Sequence, residues 1–169
     1  LTSGMIVSSL KDKNVLNLNC KNISYSLLIT NAEEYPKINF NNSSESIVLK
    51  SKNILSIINK TSHAISTDET RINLNGIYFQ QLENKLRAVA IDGHRLALLD
   101  FNNFTSENQI LQDGIIIPKK GILELKKLAE TYIDSDFKIN IDDSFLYASA
   151  NEEYFLSIRL IAREYPKYQ

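Results

Sequence analysis

The sequence predicts an α+β fold in which a βαβββ unit occurs twice and two helices pack on antiparallel sheets. One supporting observation is that segment 47–57, which reads as a strand feeding a helix, returns as segment 115–125. A second is that Glu34-Tyr35-Pro36-Lys37 returns intact as Glu164-Tyr165-Pro166-Lys167. The order of elements matches neither the strict βα alternation of a parallel sheet nor an all-β sandwich. We therefore expect repeated domains, each built from two copies of one half-domain unit.

The composition is that of an ordinary globular protein. The 169 residues are 43% hydrophobic with a net charge of −1, so the chain can bury a core and has no global attraction to nucleic acid. No apolar run approaches the roughly 18 residues of a bilayer span, and residues 1–4 lack the features of a signal peptide, which predicts a cytoplasmic protein. The sequence has a single cysteine, Cys20, and only two histidines. We therefore expect no disulfide, no metal site and no cofactor.

The first part of the chain predicts a β-rich unit. Loose alternation of apolar residues indicates strands over 5–10, 15–20 and 24–29, with polar turns between them. The polar, turn-rich stretch 39–45 predicts a linker. We accordingly expect two domains, residues 1–40 and 41–169, the first of which is too short to be a whole domain.

The second domain is predicted to begin with a strand over 46–50 and a helix over 52–65. Apolar residues at 54, 57, 58 and 65 have the spacing of one helix face. The opposite face carries Lys52, Ser56, Asn59, Lys60 and His63. A polar loop over 66–71 follows. Three strands are then predicted over 74–83, 85–92 and 95–101, and a second loop over 102–109.

The same order is then predicted again. A strand is expected over 110–117, and Pro118 is well placed to open a helix. The buried stripe of this helix is Ile122, Leu125, Leu128 and Ala129, whereas its solvated residues are Lys119, Lys120, Glu124, Lys126 and Lys127. Three more strands are predicted over 137–142, 145–151 and 154–161.

Residues 91–97, with the sequence IDGHRLA, form the segment richest in candidate functional side chains. A small hydrolase would use Asp92 to orient His94 as a base. Against this interpretation, the sequence has no Gly-x-Ser-x-Gly elbow, and residues two apart in a turn seldom form a catalytic pair. The alternative is a tight turn, in which Gly93 supplies backbone freedom and Asp92 accepts hydrogen bonds.

Other polar residues favour structural roles. Asp68-Glu69 and Asp142-Asp143 lie in predicted turns without further spaced oxygen ligands, so turn chemistry is expected there rather than cation binding. His63 is expected to be solvated. The lysines of the two repeated helices could form one basic surface if the helices lie side by side, because equivalent helices would then add their fields.

Several segments together resemble the bacterial DNA polymerase III beta subunit, the sliding clamp. The resemblance rests on Asp92-Gly93-His94-Arg95-Leu96-Ala97, preceded by Arg71 and Leu74-Asn75-Gly76, followed by residues 117–121 (IPKKG) and closed by Tyr165-Pro166-Lys167-Tyr168. It implies the sliding-clamp fold, with three similar domains per subunit, of which this chain would cover the last part of the first and nearly all of the second. It also implies a homodimeric ring around duplex DNA, with sheets outside and helices lining the hole.

By the same resemblance, the protein is expected to be a non-enzymatic processivity factor in replication and repair. The implied partners are encircled duplex DNA, held without regard to sequence, and proteins that bind through short peptide motifs. These proteins are the DNA polymerase III catalytic subunit, the clamp loader and repair polymerases. A chain of these domains alone is expected to be monomeric. The small hydrolase and a stand-alone peptide-binding module of the same fold remain as alternatives.

The resemblance assigns residues to two surfaces. The wall of a partner-peptide pocket is matched by Leu74, Gly93, His94, Arg95, Leu96 and Pro166, and the DNA-facing residues are expected to be Arg71, Lys119, Lys120 and Lys127. Two places depart from the family. Ile91 stands where threonine is common, and the loop over 68–73 lacks the usual DNA-contacting residues apart from Arg71. No DNA role is therefore assigned to Asp68, Ile72 or Asn73.

Overall fold

The computed structural model describes residues 7–12, 14–35, 37 and 46–168, and the chain divides into two compact units, Leu1–Asn39 and Phe40–Gln169. The predicted linker over 39–45 and the first residues of the predicted strand over 5–10 lie outside the described residues. The assignment of the two units to a partial first domain and a central domain stays a prediction.

The first unit contains one antiparallel sheet. Its strands are β1 (Val7–Asp12), β2 (Val15–Cys20) and β3 (Ile23–Leu28), in the order β1-β2-β3. Cys20 pairs with Ile23 across a tight turn in which Lys21 has a φ of 51°. A 3-10 turn over Ala32–Glu34 then leads to Tyr35, which is 76% exposed.

The described residues of the second unit, 46–168, form two four-stranded antiparallel sheets and three α-helices. The strands are β4 (Ile47–Lys50), β5 (Gly76–Leu82), β6 (Lys85–Ile91), β7 (Leu96–Asn102), β8 (Ile115–Pro118), β9 (Asp136–Ile141), β10 (Phe145–Ala150) and β11 (Tyr154–Arg159). The helices are α1 (Ser51–Thr61), α2 (Gln109–Asp113) and α3 (Lys119–Thr131). The sheet orders are β11-β10-β9-β4 and β7-β6-β5-β8. This arrangement confirms the predicted α+β class.

The two repeats exchange their first strands. β4 begins the first repeat but pairs with β9 of the second, with Ile47 opposite Ile139. β8 begins the second repeat but pairs with β5 of the first, with Ile77 opposite Ile117. Neither repeat can therefore complete its sheet alone, and the unit is expected to fold cooperatively.

The helices α1 and α3 contact each other and fill the core between the sheets. α1 buries Ile54, Ile57 and Ile58, and the following residues include buried Ile65, as the sequence predicted. α3 buries the predicted stripe of Ile122, Leu125, Leu128 and Ala129. Burial of these apolar faces is the main force that holds the helices on the sheets. Within the described residues, no helix is long and apolar enough to cross a membrane.

Three predicted boundaries are wrong. Residues 109–113 form α2, not the start of a strand, because the Asn108 side chain accepts a hydrogen bond from the Ile110 amide at 2.9 Å and caps a helix there. Gly114, with a φ of 85°, ends this helix and lets β8 begin. α1 ends at Thr61 and a 3-10 turn continues over Ser62–Ala64. Leu74 belongs to a 3-10 turn over Ile72–Leu74, so β5 begins only at Gly76.

Candidate functional site

The turn between β6 and β7 is organised by the carboxylate of Asp92. Its Oδ1 accepts hydrogen bonds from the backbone amides of His94 at 2.9 Å and Arg95 at 3.0 Å, and its Oδ2 accepts one from Arg95 Nε at 3.0 Å. The hydrogen bond from the His94 amide contributes most to lowering the pKa of Asp92, and the hydrogen bond from the Arg95 amide contributes next. Gly93 has a φ of 93°. The predicted turn is therefore confirmed.

This geometry gives no support to a hydrolase built on Asp92 and His94. Both carboxylate oxygens bond within the turn, to two backbone amides and to Arg95, whereas an orienting acid would have to accept from the imidazole. His94 itself is exposed, and it bonds to Asp92 through its backbone amide. Asp92 therefore holds the turn together, and His94 takes part through its backbone amide.

Arg71 lies directly over this turn, which sequence reasoning did not foresee. Its Nε is 2.9 Å from Asp68 Oδ2, and its Nη2 donates to the backbone oxygen of Asp92 at 3.1 Å. A Cβ atom added at Gly93 would lie 2.7 Å from Arg71 Nη1. Glycine at position 93 therefore serves both the backbone conformation and the close approach of the guanidinium. The DNA-facing role of Arg71 stays a prediction.

The segment after β11 inserts Tyr165 into the outer face of the β7-β6-β5-β8 sheet, which is the face that points away from the core. Tyr165 is 9% exposed and clusters there with Leu74, Val89 and Ile116. Its hydroxyl donates to the backbone oxygen of Val89 at 3.3 Å and accepts from the Ile91 amide. These backbone groups are available because the pairing of β5 with β6 ends at Tyr78 and Val89.

The ring of Tyr165 also stacks on that of Tyr78. The rings of Tyr78 and Tyr165 lie 4.7 Å apart with an interplanar angle of 8°. Desolvation is the main cause that raises the pKa of Tyr165 far above its usual range, so its hydroxyl stays protonated. Pro166 follows immediately and is half-buried. Tyr35 is the counterpart of Tyr165 in the first copy of the repeated tetrapeptide. Tyr165 is buried and Tyr35 is exposed, so the two copies differ in environment.

The outer face also presents apolar side chains to solvent beside the turn. Leu96 and Leu98 are 43% and 42% exposed and point to the same face of β7. Leu96 pairs with Ile91, which packs against the cluster around Tyr165. The structure thus brings together, on one face, the predicted pocket residues Leu74, Leu96 and Pro166. Gly93, His94 and Arg95 lie in the turn at the end of that face.

The other acidic candidates are confirmed as turn residues. Asp68 accepts from the Thr70 amide at 3.0 Å and from the Thr70 hydroxyl at 2.6 Å. Asp142 accepts from the amides of Ser144 and Phe145 at 2.9 and 2.7 Å. The residues that the structure describes contain no group of three or more metal-binding side chains.

The lysines of α1 and α3 differ in how they are held. Lys119 and Lys120 are exposed at the start of α3. Lys127 Nζ lies 2.7 Å from Glu124 Oε1, a contact that raises the pKa of Lys127. Lys52 Nζ lies 2.8 Å from Asp134 Oδ1. A phosphate would therefore compete with an acidic neighbour for Lys127 and Lys52.

Comparison with known proteins identifies relatives of this arrangement. Residues 48–167 match the family model described as "DNA polymerase III beta subunit, central domain". The beta sliding clamp of Caulobacter vibrioides is 38% identical over 111 residues, which cover 63% of this chain and 29% of the relative. The beta sliding clamp of Buchnera aphidicola is 32% identical over 163 residues, which cover 95% of this chain and 42% of the relative.

Solved structures give the same result. A sliding clamp from Bartonella birtlesii bound to griselimycin is 30% identical, with a TM-score of 0.78, over 96% of this chain and 44% of that one. A Caulobacter crescentus clamp, with polyethylene glycol at a region proposed to tether β motifs, is 29% identical, with a TM-score of 0.79, over 96% of this chain and 43% of that one. The chain thus spans well under half the length of these proteins.

Proposed function

The chain belongs to the DNA polymerase III beta subunit family, and we propose that it is part of a sliding clamp that encircles duplex DNA and tethers polymerases to it. The observation that carries this proposal is the match of the family's central domain to residues 48–167. The exchange of first strands between two repeats and the outer-face cluster around Tyr165 supply a rigid frame for such a role.

A clamp of this kind holds its partners by topology and catalyses nothing. A closed ring cannot leave circular DNA without opening, so a polymerase bound to it stays at high effective concentration near the primer end. Sliding requires attraction to phosphates that is nearly uniform along the duplex. Arg71, Lys119, Lys120 and Lys127 are the residues proposed to supply it, with Lys119 and Lys120 contributing most because Lys127 is paired with Glu124.

Partner proteins are proposed to bind the outer face beside the turn. Leu96 and Pro166 would supply apolar surface for leucine or phenylalanine anchors, and Leu74, which is buried in the cluster with Tyr165, would support that surface. Gly93, His94 and Arg95 are exposed at the edge of this face, and a ligand at Gly93 would meet the Arg71 guanidinium that lies over the turn. The partners proposed are the DNA polymerase III catalytic subunit, the clamp loader and repair polymerases.

The described units are proposed to be the end of a first domain and most of a central domain, within a longer protein that forms a homodimeric ring. The coverage of relatives supports this, since the chain matches 42% of the Buchnera clamp. The 169-residue chain by itself is expected to be monomeric. The genomic reading frame tests the domain assignment, because it should continue past Gln169 for roughly one more domain.

The peptide site is tested with a matched pair of substitutions, Leu96→Asp and Leu98→Asp, in the full-length protein. Both residues have similar exposure on the same face of one strand, but only Leu96 is assigned to the pocket. Calorimetry with a glutamine-leucine-x-leucine-phenylalanine peptide should give micromolar binding, about −8 kcal/mol, to the wild type. Leu96→Asp should abolish this heat and Leu98→Asp should retain it. No heat from the wild type, or equal loss from both variants, would contradict the assignment.

A further inference from the structure

The residues that follow β11 are attached to the outer face at two points that flank Pro166. We infer that residues 164–168 form a preorganised strap, and that Asn73 and Arg87 are positioning residues that hold the strap as one wall of the peptide site. The inference rests on the proposed function.

The first attachment precedes Pro166. Asn73 Nδ2 donates to the backbone oxygen of Glu164 at 3.2 Å. Asn73 lies in the 3-10 turn that carries Leu74, between Leu74 and Arg71 of the site. One hydrogen bond therefore joins the turn that supplies Leu74 to the segment that supplies Pro166, and it fixes the separation of the two.

The second attachment follows Pro166. The ring of Tyr168 lies edge-on to Tyr165 and Tyr78, with centroids 6.2 and 6.3 Å apart, and its hydroxyl lies beside the Arg87 guanidinium. The Arg87 side chain is only 15% exposed on β6. Its guanidinium is thus a fixed point on the sheet to which the end of the strap is tied.

Arg87 is itself immobilised by a bidentate ion pair. Its Nε and Nη2 lie 2.7 and 2.8 Å from the two oxygens of Asp100, and Lys85 Nζ lies 2.8 Å from Asp100 Oδ2. Planar pairs of this kind fix the orientation of the guanidinium as well as its position. Tyr168 thus lies beside a guanidinium whose orientation is fixed, and a lysine at position 87 could not keep the bidentate pair with Asp100.

Between these points, Tyr165 is buried and bonded to Val89 and Ile91, so the strap is already in one conformation before any ligand arrives. A site that exists only in part of the population binds with an affinity reduced by that fraction. If the attachments are cut, the strap should spend time away from the face. The competent fraction then falls, which slows association and leaves dissociation from the formed complex almost unchanged.

The test measures association and dissociation rates of the same peptide with full-length Asn73→Ala, Tyr168→Phe and the double variant. Because the strap of the wild type is in place almost all the time, each single substitution should slow association by about twofold, and the double variant should slow it by about tenfold. Asn59→Ala on the exposed face of α1 and Tyr154→Phe on β11 are matched controls, and both should leave the rates unchanged.

Arg87→Lys gives an independent check, because it retains a positive charge beside Asp100 and should behave like Tyr168→Phe. Unchanged association in Asn73→Ala, Tyr168→Phe and Arg87→Lys would overturn the inference, as would faster dissociation with unchanged association, which would mean that these side chains touch the peptide. A wild-type protein that binds no peptide would instead overturn the proposed function.

Discussion

Gly93 is the residue whose substitution should most directly disturb the turn of the candidate site. Its φ of 93° lies where side chains are disfavoured, and an added Cβ would lie 2.7 Å from Arg71 Nη1. We expect Gly93→Ala to lower the free energy of unfolding by about 1–2 kcal/mol, mostly from backbone strain, because the Arg71 guanidinium that the methyl group would meet is the end of a flexible side chain. Denaturant unfolding measures this loss.

A double substitution separates the two causes. Arg71→Ala removes the guanidinium that the added methyl group would meet, so the cost of Gly93→Ala measured in an Arg71→Ala background should shrink to the strain part. An equal cost in both backgrounds would show that Arg71 moves aside freely and that backbone strain accounts for the whole loss. No loss in either background would contradict the left-handed conformation of Gly93.

Asp92 should make the turn sensitive to acid. Its pKa is lowered below the ordinary value of 3.8 by the amides of His94 and Arg95. Because the folded pKa is depressed, the carboxylate stabilises the fold above pH 3.8 and loses this contribution as the pH falls through the lowered value. Carboxyl NMR titration should give a midpoint below 3.8, with the amide shifts of His94 and Arg95 following it. A midpoint at or above 3.8 would contradict these hydrogen bonds.

Single residues could be predicted from the sequence where their partners are near in the chain. Asp92 and Gly93 form their turn with the next two residues, so the pattern alone indicated it. The positions of Arg71 and Tyr165 could not be predicted in this way. Arg71 reaches the turn across the 3-10 segment before β5, and Tyr165 fills a gap that exists only because the pairing of β5 with β6 ends early.

Among the elements, α2 offers a direct test of why a predicted strand is a helix. Asn108 caps α2 through its side-chain bond to the Ile110 amide. Asn108→Ala should lower the free energy of unfolding by about 1 kcal/mol, whereas Asn108→Asp should be nearly neutral because aspartate caps equally well. Thermal and denaturant unfolding of both variants measure this. Equal stability of the alanine and aspartate variants would mean that the cap does not hold α2.

Among the secondary-structure elements, those with strong apolar periodicity were predicted from the sequence. The helix whose existence depends on its capping residues was missed. The buried stripes of α1 and α3 were correct because several apolar residues agree on one face. Residues 110–113 were misassigned because Ile110 and Leu111 look like the start of the apolar run in β8, and the competing signals were Asn108 and Gly114. The exchange of β4 and β8 between sheets depends on pairing over long separations, which periodicity does not encode.

For the whole molecule, the lysines of α3 should govern the grip on DNA. Replacing Lys119, Lys120 and Lys127 together by glutamate should impair loading and holding on primed circular DNA and leave peptide binding intact. The log–log dependence on salt should flatten by roughly 0.9 for each lost phosphate contact. Binding at several salt concentrations measures the slope.

A control variant carries the same change in net charge at lysines outside the helices. Lys21, Lys37 and Lys138 are exposed outside the helices, and their joint replacement by glutamate should leave loading and the salt slope nearly unchanged. Equal effects of the two triple variants would mean that only net charge matters. An unchanged slope in the α3 variant would place its lysines on an ordinary solvated surface.

The central claim is that the protein is held on DNA by encirclement, and one measurement tests this directly. Full-length protein is loaded onto nicked circular DNA with its clamp loader, free protein is removed, and the DNA is then cut once. The proposed function predicts retention on the circle and rapid loss after cutting, because a ring slides off a free end. Equal retention on circular and linear DNA would contradict encirclement, since it would show that contacts rather than topology hold the protein.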